Sequence, residues 1–192
     1  ARSADIETAG LEPTGTVLDR VVEAFLNSGV DEGKGIRLHI RLDELELPLL
    51  DWPNDFVDFD DFKAAHFGSS DPNIRRAENL VFRYAVFGNT HGTGTSSGLA
   101  ETPGNDFMIT LGAWSGGTEG EQAGTFMHEL GHSLGLQHGG DRDINCKPNY
   151  HSVMNYVWQL PTVSYPGGWR LDYSHGTLPA LHERQLTESA GI

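Results

Sequence analysis

The apolar and polar residues of this chain fall into short periodic stretches, and each stretch predicts an element. In residues 17–26 (VLDRVVEAFL), Val17, Val21 and Phe25 recur at helical spacing with charges between them, and Asn27-Ser28-Gly29 ends the helix. Residues 36–42 (IRLHIRL) alternate strictly, which predicts a half-buried strand with His39 on its polar side as an ordinary surface histidine. Residues 4–8 predict a short first strand, 60–66 a short helix, and 80–87 (LVFRYAVF) a buried strand. A Gly/Thr/Ser loop covers 88–98, and two strands at 98–102 and 107–111 flank Pro103-Gly104-Asn105. Residues 118–134 predict the longest helix, with Phe126, Leu130 and Leu134 at four-residue spacing on its core side. A last helix is expected at about 178–189, and there is no internal repeat.

The length of 192 residues fits one domain with a proper core. A formal net charge of −14 argues against nucleic acid, whose phosphates it would repel. No run of eighteen apolar residues offers a membrane span. The chain starts Ala1-Arg2-Ser3-Ala4, and the expectation is a processed catalytic domain whose signal and pro-segments lie outside it. Cys146 is the sole cysteine, so it is either a small buried residue or the partner of a segment beyond this chain.

A histidine pattern on the face opposite that core side changes the picture most. His128, Glu129, His132, Gly135 and His138 spell H-E-x-x-H-x-x-G-x-x-H, a pattern that chance produces roughly once in several thousand such sequences. Helical positions four apart lie about 40° from superposition, so His128 and His132 share one face. Gly135 takes the left-handed conformation without a Cβ penalty, which lets the chain turn and return His138 as a third ligand. Three histidines leave a fourth tetrahedral position for water, the arrangement of a catalytic zinc site. Glu129 stands beside the first ligand, placed to take a proton from that water.

With this motif the chain resembles the metzincins, a clan of zinc endopeptidases. The second hallmark of that clan is a methionine-containing turn beneath the zinc, matched here by Ser152-Val153-Met154-Asn155-Tyr156. The resemblance implies an α+β fold filling residues 1–192 as a single catalytic domain. Its upper lobe, about 1–137, would hold a mixed, mostly parallel sheet and two helices. Its lower lobe, about 138–192, would be irregular with a C-terminal helix, and an active-site cleft would separate the two. The antiparallel edge strand on the cleft rim maps to 98–102, where Gly98, Leu99 and Ala100 would bind substrate by strand addition. A plain hairpin arm is the other meaning of that strand. Tyr156 stands two residues beyond Met154, where astacins and serralysins carry a tyrosine that reaches the zinc. It is either an oxyanion donor of that kind or a ring packed under the site. Gly139, after the third histidine, fits none of the subfamily markers, so the subfamily stays open.

Residues 42–61 are crowded with carboxylates and contain no Lys or Arg, which suits either a structural Ca²⁺ or a solvated acidic loop. His66 and His91 have no ligand spacing and are set aside as a second metal site. The expectation is therefore a secreted, monomeric zinc endopeptidase acting on protein or peptide substrates, with Glu129 as general base. A zinc amidase acting on cell-wall material and a non-catalytic zinc-containing peptide-binding module are the competing classes. Glu129 speaks against the last, since a structural site has no use for a base.

Overall fold

The computed structural model describes residues 13–29, 34–45, 47–162, 168–174 and 181–185. It is a mixed α+β arrangement with four α-helices and two small sheets among these residues. Helix α1 (Gly15–Leu26) starts at Thr14, whose hydroxyl accepts from the Val17 amide, and buries Val17, Val21 and Phe25. Full burial of side chains of this kind contributes about 1.5–3 kcal/mol each, which fixes that face against the core. Strand β1 (Asp51–Trp52) precedes α2 (Phe56–His66) and α3 (Pro72–Val81). Strands β2 (Tyr84–Gly88), β3 (Thr90–His91), β4 (Gly98–Ala100) and β5 (Asp106–Thr110) follow, then helix α4 (Glu119–Ser133).

Strand β5 lies at the centre of a three-stranded sheet in the order β2-β5-β4. It pairs parallel with β2, Phe107 opposite Ala85, and antiparallel with β4, Met108 opposite Leu99. All five β5 residues are buried, because both faces of the sheet are covered. Phe107 and Ile109 join the α1 residues and Phe126, Met127 and Leu130 of α4 in one core cluster. Met108 faces the other way, into a smaller cluster with Trp52, Phe59 and Val86. Strands β1 and β3 pair parallel as a separate two-residue ladder that sets Trp52 opposite His91.

Several expectations need correction. Residues 36–42 form no strand: Leu38 and Ile40 do pack against the main core, but the backbone joins no ladder. This stretch and β2 instead line a shared cavity of about 660 Å³, which does not include the motif histidines. Residues 80–81 end helix α3 rather than begin a strand, with Leu80 and Val81 exposed, and the strand starts at Tyr84. The Asp71 carboxylate caps α3 through the Asn73 amide at 2.8 Å, with Pro72 in the first helical turn. Helix α2 begins four residues earlier than the expected residue 60. Strand β4 stops at Ala100, two residues short of the expected end. Leu134 is 46% exposed, since α4 ends at Ser133 and the chain turns before that position reaches the core. Cys146 is exposed rather than buried. The strand expected at 4–8 lies outside the described residues, as does most of the helix expected at 178–189. Of that last stretch, 181–185 hold one 3₁₀ turn, Glu183–Gln185.

Candidate metal centre

Helix α4 is nucleated by a complete capping box. The Thr118 hydroxyl accepts from the Glu121 amide, and the Glu121 carboxylate accepts from the Thr118 amide at 2.7 Å. Its last two turns carry His128 and His132 on one face. The helix then closes with the Leu136 amide donating to the Gly131 carbonyl at 2.9 Å, while Gly135 sits at φ 93°. This stop reverses the chain within three residues and sends His138 back towards the first two rings.

The three side chains meet. Among the described residues, His128, His132 and His138 are the one group of three or more His, Cys, Asp or Glu whose ligand atoms all lie within 4.8 Å of one another. Each ring is held at Nδ1. His128 Nδ1–H donates to the Val153 carbonyl at 2.7 Å, His132 Nδ1–H to the Leu136 carbonyl at 2.8 Å, and His138 Nδ1–H to Asp143 Oδ1 at 2.5 Å. These bonds fix the tautomer, leaving every Nε2 with a free lone pair. His128 Nε2 and His132 Nε2 stand 3.1 Å apart. Two lone pairs at that distance repel unless a cation lies between them. Ligands 2.0–2.1 Å from a tetrahedral zinc are roughly 3.3–3.4 Å apart, so the donor set fits that ion.

Electrostatics point the same way. Burial lowers His128 to about 3, helped by the neighbouring rings of His132 and His138. His132 is likewise lowered, chiefly by burial. Neutral imidazole is the form that binds metal. Glu129, 4% exposed, is pushed up to about 8 by burial. Its carboxylate rests against Gly98 of β4, where a Cβ would come within 2.7 Å of Oε1. The missing side chain at Gly98 is what gives Glu129 its seat.

Met154 is fully buried and packs directly under α4, where a Cβ on Gly131 would sit 2.3 Å from its sulfur. The residue before it supplies the carbonyl that holds His128, so the turn and the ligand are one unit. The Val153 amide donates to the Asp172 carbonyl at 2.8 Å, bracing the turn from the other side. Tyr156 is 54% exposed, its ring 4.4 Å from that of His138 and 5.5 Å from that of His128, centroid to centroid. Burial, with Glu129 and Asp143 nearby, raises its phenol above the ordinary value.

Strand β4 ends its sheet. The Ser97 carbonyl and the Glu101 amide bond β5 and its flank, so Gly98 and Ala100 present their backbone groups to the open side. The Gly98 carbonyl is already taken, accepting from Ser96 Oγ at 3.0 Å and His91 Nε2 at 3.1 Å. Leu99 points into the smaller cluster.

Two supporting residues escape the motif. Asp143 orients His138, and fully buried Asn155 donates to the Lys147 and Tyr150 carbonyls, both at 2.9 Å, tying the turn to the preceding loop. Asp143 had a faint signal, a carboxylate five residues past a histidine ligand; Asn155 had none beyond its place in the turn. In the acidic segment, Asp51 accepts from Asn89 Nδ2 at 2.8 Å, Asp55 pairs with His91 at 2.7 Å, and Asp58 accepts from the Asn54 amide at 2.9 Å. These carboxylates are bound to protein donors one by one, and no three of them converge among the described residues. Comparison with protein-family models, curated proteins and solved structures returned no match.

Proposed function

We propose that this chain is a zinc-dependent endopeptidase of the metzincin type. The observation that carries the proposal is the convergence of three Nδ1-anchored imidazoles beside a buried carboxylate that is not one of the three converging groups. His128, His132 and His138 would hold the zinc. When bound there, zinc supplies Lewis acidity that acidifies water and polarises a carbonyl.

The protein's own groups do the rest. The Glu129 carboxylate, next to the first histidine in the chain and buried beside the three rings, would take a proton from the attacking water and return it to the leaving amine. An extended peptide adds to the open side of β4, bonding to the Gly98 amide and to Ala100. Tyr156 stands on the exposed side of the histidine rings, where its O–H donates to the oxyanion that forms as water adds. The net charge of −14 steers anionic polymers away, in keeping with peptide substrates.

A zinc-loaded sample should cleave members of a mixed peptide library, and Glu129→Ala should retain zinc while losing about 10²- to 10⁴-fold in kcat. A zinc-loaded wild type that cleaves cell-wall peptides and no ordinary peptide favours the amidase class. Near-normal cleavage by Glu129→Ala sinks the proposed mechanism.

A further inference from the structure

His91 and Asp55 lie outside the histidine motif, yet Asp55 departs from local preference in a way that leads, through His91, towards it. Asp55 occupies the N-cap position of α2, where an aspartate carboxylate ordinarily accepts from the first helical amides. It makes no such bond. Its backbone stands at φ 52°, a left-handed conformation that a side chain disfavours. Strain of this kind persists where surrounding contacts demand it. Here the carboxylate is turned to His91, with Oδ1 2.7 Å from Nδ1. Gly92, at φ 50°, leaves the room for it, since a Cβ there would meet Asp55 Oδ1 at 3.0 Å.

His91 is 7% exposed and set in register by its pairing opposite Trp52. Its other nitrogen reaches the Gly98 carbonyl at 3.1 Å, so each ring nitrogen has an acceptor within hydrogen-bond distance. Gly98 in turn is the residue against which the Glu129 carboxylate rests. A continuous line of contact therefore runs from Asp55 through His91 and Gly98 to the buried carboxylate. We propose that His91, oriented by Asp55, is a positioning residue that fixes Gly98 and so sets where Glu129 lies relative to the metal ligands. This rests on the hydrolase assignment above, in which Glu129 moves the proton.

The test uses the zinc-loaded full chain. His91→Phe keeps a ring of similar size and removes both bonds. It should hold zinc at the wild-type ratio and lower kcat by about tenfold or more with KM within about threefold, because displacing a reacting group by about 1 Å is costly. His91→Gln keeps an amide donor for the Gly98 carbonyl and should recover part of that loss. Asp55→Gly relieves the backbone strain while removing the carboxylate; its kcat should fall in the same direction, and it decides the matter if His91→Phe does not fold. Amide exchange across residues 97–101 should quicken in His91→Phe, with 106–110 unchanged. A lowered Tm with kcat per folded molecule intact would make His91 merely structural and overturn the proposal, as would loss of zinc. If the wild type cleaves no peptide, the hydrolase assignment has failed on its own, and the exchange measurement then decides: unchanged protection at 97–101 refutes the positioning role.

Discussion

Replacing Gly131 by alanine sets two terms of known sign against each other. In a helix interior alanine is favoured over glycine by about 0.8–1.0 kcal/mol. At this position the new methyl would lie 2.3 Å from the Met154 sulfur and 2.8 Å from Tyr173 Cε1, against an optimum of about 3.5–4.0 Å for such contacts. Neither neighbour moves easily. Met154 is fully buried, and the Tyr173 hydroxyl donates to the Met127 carbonyl at 2.8 Å. Overpacking of this kind costs about 1–3 kcal/mol, so it should win by about 1 kcal/mol, and Tm should fall by about 2–4 °C for a chain of this size. Zinc should also dissociate faster, because Val153, which holds His128, is carried on the displaced turn. The double-mutant cycle sharpens the test. Met154→Ala alone should cost about 2–5 kcal/mol, and in that background Gly131→Ala should be less destabilising, because only the contact with Tyr173 remains. Thermal and urea unfolding of the four proteins, in the zinc-loaded state, measure this difference. A Gly131→Ala effect that is equal in both backgrounds, or stabilising in the wild type, would refute the packing of the turn against the helix.

Asp143→Ala removes the acceptor that orients His138 and should weaken zinc binding by about 10- to 100-fold, read by competition with a chelator; unchanged affinity would make that carboxylate a bystander. Tyr156→Phe should lower kcat by about 10²- to 10³-fold with KM nearly constant, and an unaltered kcat removes Tyr156 from the chemistry. His132→Ala should leave a folded chain that no longer retains zinc after gel filtration, because two imidazoles alone hold the ion poorly.

How legible each part was depended on whether its cause is local. Helix α1 announced itself because its buried stripe, Val17, Val21 and Phe25, has the helical period. The clustering of His128, His132 and His138 was legible because their spacing is the geometry: one helical turn, a left-handed Gly135, and a return. Helix α3 was missed because its short apolar stripe, Ile74, Ala77 and Val81, stays unburied and its last residues resemble the start of a strand; its Asp71-Pro72 start was the available signal. Residues 36–42 misled for the opposite reason. Their alternation reports Leu38 and Ile40 packing on the core, yet a strand also needs a bonded neighbour, which no local pattern encodes. The seat of Glu129 on Gly98 and the bond from His138 to Asp143 are tertiary contacts. They became visible only once β4, α4 and the following loop were brought together.

X-ray absorption at the zinc edge of the loaded protein tests the central claim most directly. The account predicts about one zinc per chain, with three imidazole nitrogens and one oxygen at about 2.0–2.2 Å. A sulfur neighbour at about 2.3 Å, which only Cys146 or a methionine could supply, or no zinc retained after reconstitution, would contradict it.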